Sequence, residues 1–262
     1  MYTTDVKIDA VLTGLLERHE SQTTDRRSSG FSELDELTGG FAPGELMVLA
    51  SRPYMSRERV LTRIIDTVAM QHGLPVLIIS ADCDAENFCQ YRIGLQYSYF
   101  NLLGRYCGAT WRVKQQRGLS ALIEKYKTVP IYVNDHAGLS IDEIFENAEQ
   151  LCNHDGKLGL IVVTNGDALN LQKFGVSRYD QLVGLSKALK KLALEHCCPV
   201  LVESEVSRRL EKRKRGRMEP RTKDLYGRGD LAKYADMLLF VHFGGNHHMA
   251  SKPRGKFIIE MN

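Results

Sequence analysis

Short apolar, β-branched runs recur along the chain at Leu46–Ala50, Pro75–Ser80, Val129–Asn134, Leu158–Thr164, Pro199–Glu203, Met237–Phe243 and Phe257–Met261. Most are bounded by Gly, Pro or polar residues. Helical periodicity occupies the stretches between the earlier runs, at about 57–72, 84–103, 110–127, 140–153 and 178–196. Nearly continuous apolar strands alternating with helices predict an α/β fold, a mostly parallel sheet covered by helices on both faces. Ahead of this core, Ile8, Val11, Leu12, Leu15 and Leu16 fall at helical spacing within residues 6–20, which predicts an amphipathic helix. The polar stretch Ser21–Gly30 then reads as a connector. The expected organisation is a linker helix and flexible connector over 1–29, followed by one core domain over 30–262. In such sheets ligands bind beyond the carboxyl ends of the strands. The loop after the first strand, Ser51 to Glu58, is therefore the first place to seek chemistry.

Charge changes this picture more than composition does. Arg208 to Arg228 holds ten basic residues against three acidic ones, a local +7, so the remainder of a chain of net +3 carries −4. Such asymmetry favours an anionic partner. With Gly216 and Pro220 breaking any helix, this segment is expected to be a mobile basic arm. The six cysteines, Cys83, Cys89, Cys107, Cys152, Cys197 and Cys198, form no C-x-x-C pair, and reduced, mostly buried thiols are expected. No metal site is expected; the His247-His248 pair reads as solvated. Trp111, Tyr91, Tyr97 and Tyr99 fall in helical segments and are expected in the core. No apolar run approaches the roughly 20 residues that span a bilayer, and the first residues lack the pattern of a signal peptide. The expected compartment is the cytoplasm, without membrane contact.

Several words of the sequence carry a resemblance. Gly30–Leu46 (GFSELDELTGGFAPGEL) looks like the approach to a RecA-type core. Ala50-Ser51-Arg52-Pro53-Tyr54-Met55 is similar to the A-x-R-P-x-M that precedes G-K-T in DnaB-type replicative DNA helicases. Val129–Ser140 (VPIYVNDHAGLS) resembles that family's IYIDD-x-x-GLT, and Gly159–Val163 its Walker B strand. Cys198–Arg208 (CPVLVESEVSR) resembles VPVVALSQLNR, and Asp224-Leu225-Tyr226 with Ala235-Asp236 resembles DLRES…DAD. The matches keep their order from residue 30 to 261. The resemblance implies a RecA-like fold, the helicase C-terminal domain, with residues 6–20 standing for the linker helix.

The departures fall on the chemistry. In a working phosphate loop, glycine lets backbone N–H groups wrap the phosphates, a lysine reaches the β/γ-phosphates, and a Ser/Thr hydroxyl binds Mg²⁺. Those positions read Ser56, Arg57 and Glu58. The catalytic glutamate's position holds Asp82, one methylene short. The Walker B aspartate's position holds Thr164, with Asp167 three residues too late, and the sensor glutamine matches Glu205. The family's arginine finger follows the last matching strand in a K-x-R, whereas the sequence here reads Glu260-Met261-Asn262; if Asn262 is the natural end, no finger follows. Changes at so many positions of one mechanism imply a degenerate, inactive site with no cofactor. Arg52, Arg57 and Arg59 remain the candidates for holding a nucleotide if one binds.

The resemblance therefore implies a helicase-like, non-catalytic protein of DNA replication that binds DNA, a replicative helicase, or both. Lys173, Arg178, Arg208, Arg209, Lys212, Arg213, Lys214, Arg215 and Arg217 are the candidate DNA contacts. Ile8, Val11, Leu12, Leu15 and Leu16 are the candidate assembly surface, with at most weak self-association expected. Two alternatives stay open. One is an atypical but active ATP-dependent helicase using Arg57 and Asp82 with ATP and Mg²⁺. The other is a scaffold or inhibitor acting by protein contact alone.

Overall fold

The computed structural model describes residues 25–52, 57–81, 83–93, 119–213, 219–243 and 255–261. Seven strands, β1 (Leu46–Ser51), β2 (Val76–Ser80), β3 (Ile131–Asn134), β4 (Leu160–Thr164), β5 (Val200–Glu205), β6 (Met237–Phe243) and β7 (Gly255–Met261), form one sheet in the order β3-β2-β4-β5-β1-β6-β7. All neighbours pair in parallel except β7, which runs antiparallel to β6. The expected mostly parallel α/β sheet is what forms. Three strands begin directly after a proline that the apolar pattern had included or adjoined, Pro75, Pro130 and Pro199, because proline has no N–H to give the ladder.

Side-chain alternation divides the core between the two faces. Leu46, Val48 and Ala50 of β1 point into one apolar layer, against Ile144 and Ala148 of helix α3 (Ile141–Asp155) and Leu185 and Leu189 of helix α4 (Arg178–Glu195). Met47 and Leu49 point into the other, against Leu34 of helix α1 (Ser32–Thr38) and Ile64 and Ile65 of helix α2 (Arg57–Asp66). Residues of β1, β2, β4 and β5 are buried in both layers, which is why these strands read as continuous apolar runs rather than alternating ones. Further helical turns lie at 85–93 and 119–127. Asp66, at the end of α2, ties both to the core: it accepts from Arg92 at 2.5 Å and from the Tyr126 hydroxyl at 2.9 Å. Burial, with Asp66 beside it, pushes the Tyr126 phenol well above its ordinary range.

The helix expected over 57–72 is regular only to Asp66, then widens into a π-type turn, Thr67–Gln71. Thr67 donates its hydroxyl back to the Arg63 carbonyl at 2.9 Å, a side-chain bond that loosens helical backbone. The same hydroxyl explains Gly30: a Cβ there would lie 2.2 Å from Thr67 Oγ1, and φ is +81°. The motif aspartate Asp236 also has a structural task. It accepts the Leu46 N–H at 2.7 Å and the Lys190 ammonium at 2.7 Å, joining the starts of β1 and β6 to α4.

Several expectations are corrected. Residues 25–29, assigned to the flexible connector, pack on the core: Arg27 pairs with Phe41 through two 2.8 Å backbone bonds, and Arg27 and Ser29 are buried. Among the described cysteines only Cys198 is buried; Cys89 and Cys197 are exposed. Both exposed thiols sit on helix or turn backbone at the surface, against the usual burial of free cysteine on which the expectation rested. Tyr91 is half exposed rather than core. The amphipathic segment with Ile8, Val11, Leu12, Leu15 and Leu16 lies outside the described residues, as do Cys107, Trp111, Tyr97, Tyr99 and the His247-His248 pair. Among the described residues, no helix is long and apolar enough to cross a membrane.

Candidate functional site

Parallel register brings the strand ends to one edge of the sheet. Ser51 of β1 aligns with Glu205 of β5, and Ser80 of β2 with Thr164 of β4. This carboxyl edge is where the sequence placed the phosphate loop, the general base, the Walker B residue and the sensor. Ser56 and Asp82 lie outside the described residues; Arg57, Glu58, Thr164 and Glu205 are described.

Arg57, where the resemblance puts the phosphate-binding lysine, opens α2 and turns onto β5. Its Nε donates to Glu203 Oε1 at 2.8 Å and its Nη1 to the Ser204 carbonyl at 2.9 Å. Both side chains of the ion pair are largely buried, at 15% and 7% exposure. Burial opposes the Arg57 charge, but Glu203, Glu58 and Glu205 outweigh it and hold the guanidinium above its ordinary pKa. One buried cation is thus already engaged and sits among three carboxylates. Tyr91 faces the same ground: burial, then Glu58, raises its phenol, and Glu203 acts in the same direction.

Glu203 escaped the sequence reading. Its signal was available, since it is a charged residue inside the buried run Val200-Leu201-Val202-Glu203, at the place where the matching word VPVVALSQLNR has leucine. A carboxylate inside a buried strand needs a cation. Only the β1–β5 adjacency identifies that cation as Arg57.

The other positions agree. The Thr164 hydroxyl accepts from Ala81 N–H at 3.2 Å and donates to the Ile79 carbonyl at 3.4 Å, knitting β4 to β2. Asn165 then takes a left-handed conformation, φ 42°, and the chain enters the 3₁₀ turn Gly166–Ala168 that holds Asp167, past the strand end. Glu205 is exposed at the tip of β5. Arg52 is half-buried and adds to the charge that depresses His242; Arg59 is exposed on α2. Arg57 is drawn to β5 by Glu203 and the Ser204 carbonyl. Among the described residues, no group of three His, Cys, Asp or Glu could hold a metal ion. Among the described residues of this edge, the Arg57 cation is paired with Glu203, and the end of β4 carries the Thr164 hydroxyl.

The candidate DNA contacts divide into kinds. Lys173 pairs with Asp142 at 2.5 Å, but both are half or more exposed, so the pair is weak and exchangeable. Arg208 and Arg209 are exposed on the 3₁₀ turn Arg208–Lys212, which the buried Leu210 anchors. Lys212 is described for its backbone alone, and Lys214, Arg215 and Arg217 lie outside the described residues. Arg213 is committed elsewhere: it pairs with the buried Asp224, which also accepts the Arg221 N–H at 2.9 Å. The expected mobile arm is therefore pinned on both flanks. Val206 bridges to Leu225, and Thr222 donates to Glu260 of β7 at 3.2 Å. Leu210, Leu225 and Pro220, the last of which was read as a helix breaker, are all buried and anchor the segment.

Arg178 begins α4, donates to Gln181 at 3.3 Å and lies 5.7 Å from the Tyr226 ring centre. Next to it, the Tyr179 hydroxyl accepts from Lys233 at 3.0 Å. Tyr179 and Lys233 were not singled out in the sequence, and Tyr226 only as part of a family word; they come together because residues 226–234 pack along α4.

The sheet order and the covered faces define a RecA-like core, at whose carboxyl edge Arg57 is paired with Glu203. The chain belongs to the DnaB-like helicase C terminal domain family, which it matches over residues 27–261. It is similar to the replicative DNA helicase DnaB of Mycoplasma genitalium, 27% identical over 224 residues covering 82% of this chain and 46% of that protein. It is likewise similar to the DnaB of Haemophilus influenzae, 25% identical over 241 residues covering 92% and 50%. The chain thus spans about half the length of these curated relatives. Among solved structures it resembles the ATPase domain of G40P (TM-score 0.75, 23% identity, 91% of this chain and 84% of that one). It also resembles a DnaB-like replicative helicase studied with its interactions with primase (TM-score 0.77, 21% identity, 97% and 64%). These structural likenesses carry the fold.

Proposed function

We propose that this chain is a non-catalytic member of its family that serves DNA replication by binding single-stranded DNA, a replicative helicase, or both, and does not bind or hydrolyse ATP. The observation that carries the reading is the Arg57–Glu203 ion pair. A phosphate loop needs an uncommitted cation, and here it is buried against a carboxylate, with Glu58 and Glu205 adding negative charge. A polyphosphate entering this edge would displace a made ion pair and meet repulsion. Exposed Arg208, Arg209 and Lys173 support the DNA-binding part, because exposed cations can neutralise phosphates and release counterions. The relatives' identity as replicative helicases, one of them solved for its interactions with primase, supports a partner within the replication machinery.

The test is thermal unfolding of the chain with and without Mg·ATP, beside an ATPase assay with and without single-stranded DNA. A ligand at a hundredfold excess over Kd stabilises a fold by about 2.7 kcal/mol. No shift and no turnover are expected. A shift that vanishes in Arg57→Ala would overturn the reading in favour of an active enzyme using Arg57 and Asp82. Capture from DNase-treated extract with the chain as bait separates a helicase partner from DNA-bridged association.

A further inference from the structure

We infer that Tyr179 and Tyr226 form a stacking platform for the bases of single-stranded DNA, an inference that rests on the DNA-binding reading above. The platform lies on the seam between the first turns of α4 and the segment 226–234. Two contacts fix this seam. Gly227 adopts φ +68° and lies so close that a Cβ there would meet Leu182 Cδ1 at 2.2 Å. Seven residues on, the Tyr234 N–H donates to the buried Ser186 hydroxyl at 3.0 Å. Between them Leu231 and Ala232 are buried, so the backbone is held while the rings face outward.

Tyr179 is 51% exposed and Tyr226 49%. Single exposed aromatics are ordinary on a soluble surface; two on one rigid seam, each with its own cation, are a recognisable chemistry. The Arg178 guanidinium lies 5.7 Å from the Tyr226 centroid. The Lys233 ammonium is 3.0 Å from the Tyr179 hydroxyl but 5.4 Å from the ring centre, so it sits at the phenol end and leaves the ring centre uncapped. Cations beside aromatic faces, on rigid backbone, suit a ligand with alternating phosphates and flat bases. An acidic peptide would use the cations and gain little from the rings. The loop before α4 carries Lys173 at its surface, in an exposed pair with Asp142 that a phosphate can exchange.

The two components separate by experiment, because stacking does not release counterions and phosphate neutralisation does. Binding of the full chain to labelled oligothymidylate, and to an abasic deoxyribose-phosphate strand of equal length, is measured by anisotropy over a salt series. The expected result is tighter binding of oligothymidylate at every salt concentration. Tyr179→Ala/Tyr226→Ala should weaken oligothymidylate binding at least about fivefold, the low end for one stacked base. Binding of the abasic strand should change little, with the same salt slope and melting temperature. Tyr179→Phe and Tyr226→Phe should retain binding, since the ring suffices. Equal wild-type affinity for the two strands, or equal weakening on both in the alanine variant, overturns the platform while leaving DNA binding intact. Binding of neither strand at low salt overturns the DNA-binding reading and the platform with it.

Discussion

Arg57 and Glu203 stand 146 residues apart in the chain and meet at 2.8 Å across the carboxyl ends of β1 and β5. The carboxylate belongs to a buried strand, and the guanidinium is flanked by Glu58 and the Ser204 carbonyl. A buried ion pair adds little net stability over an apolar pair, but one partner left alone is costly.

Substitution at this pair should therefore be strongly non-additive. Arg57→Met and Glu203→Leu, each alone, should destabilise by roughly 3 kcal/mol, since each breaks a buried ion pair. The double variant should return to within about 1 kcal/mol of the parent. Urea unfolding of the four proteins supplies the cycle. Two small, additive effects would mean that the pair is solvated and that the phosphate-loop cation is available after all.

The sheet was legible in the sequence because buried parallel strands are apolar throughout, and β1 to β6 stand close to where those runs predicted them. Arg57, Thr164 and Glu205 were singled out because family words fixed their order. The partner that Arg57 meets was not. Glu203 could be flagged as a charge in an apolar run, yet its partner depends on β5 lying beside β1, which local periodicity does not encode. Tyr179 and Lys233 are joined only by the packing of an irregular 3₁₀ segment against α4, and such segments carry no periodic signal. The basic segment 208–228 was read as mobile because Gly216 and Pro220 break helical periodicity, while the anchoring of Leu210 and Leu225 is a tertiary fact.

The basic segment should split into structural and surface arginines. Arg213→Ser should destabilise by about 1–3 kcal/mol, because buried Asp224 is left without its cation. Arg208→Ser/Arg209→Ser should leave the melting temperature unchanged. On single-stranded DNA it should reduce the slope of log K against log salt by about 0.7 for each phosphate no longer neutralised. Parallel melting and salt-titration series distinguish the two. A destabilised Arg208/Arg209 variant, or one with an unaltered slope, would remove that turn from the DNA path.

Acid should weaken the fold through His242. Burial holds this imidazole below its usual range, with Arg52 and Lys256 pushing the same way and Glu219 opposing. A group whose folded pKa is depressed stabilises the protein above its unfolded value, about 6.5, and that contribution is lost as pH falls through the folded value. Urea midpoints should drop between pH 8 and pH 5, and His242→Gln should drop less. An equal drop in both would assign the acid sensitivity to other groups.

The amino-terminal boundary separates folding from docking. Arg26 donates to the carbonyls of Thr38, Gly39 and Gly40 and pairs with Glu45, and Arg27 pairs with Phe41. Ser28 and Ser29 both bond Asp35. A variant starting at Asp25 keeps all of these and should melt with the parent. One starting at Gly30 lacks them; at about 1 kcal/mol net for each hydrogen bond, a destabilisation of at least roughly 3 kcal/mol should lower Tm by about 6–12 °C. The Asp25 variant also removes Ile8, Val11, Leu12, Leu15 and Leu16 while keeping these bonds, so it tests their role in assembly. Light scattering should find parent and variant alike as monomers or weak oligomers when alone, while capture of a replicative helicase should fall in the variant. Capture that survives the deletion would remove the amphipathic stripe from the partner interface and move the search to the surface of the core itself.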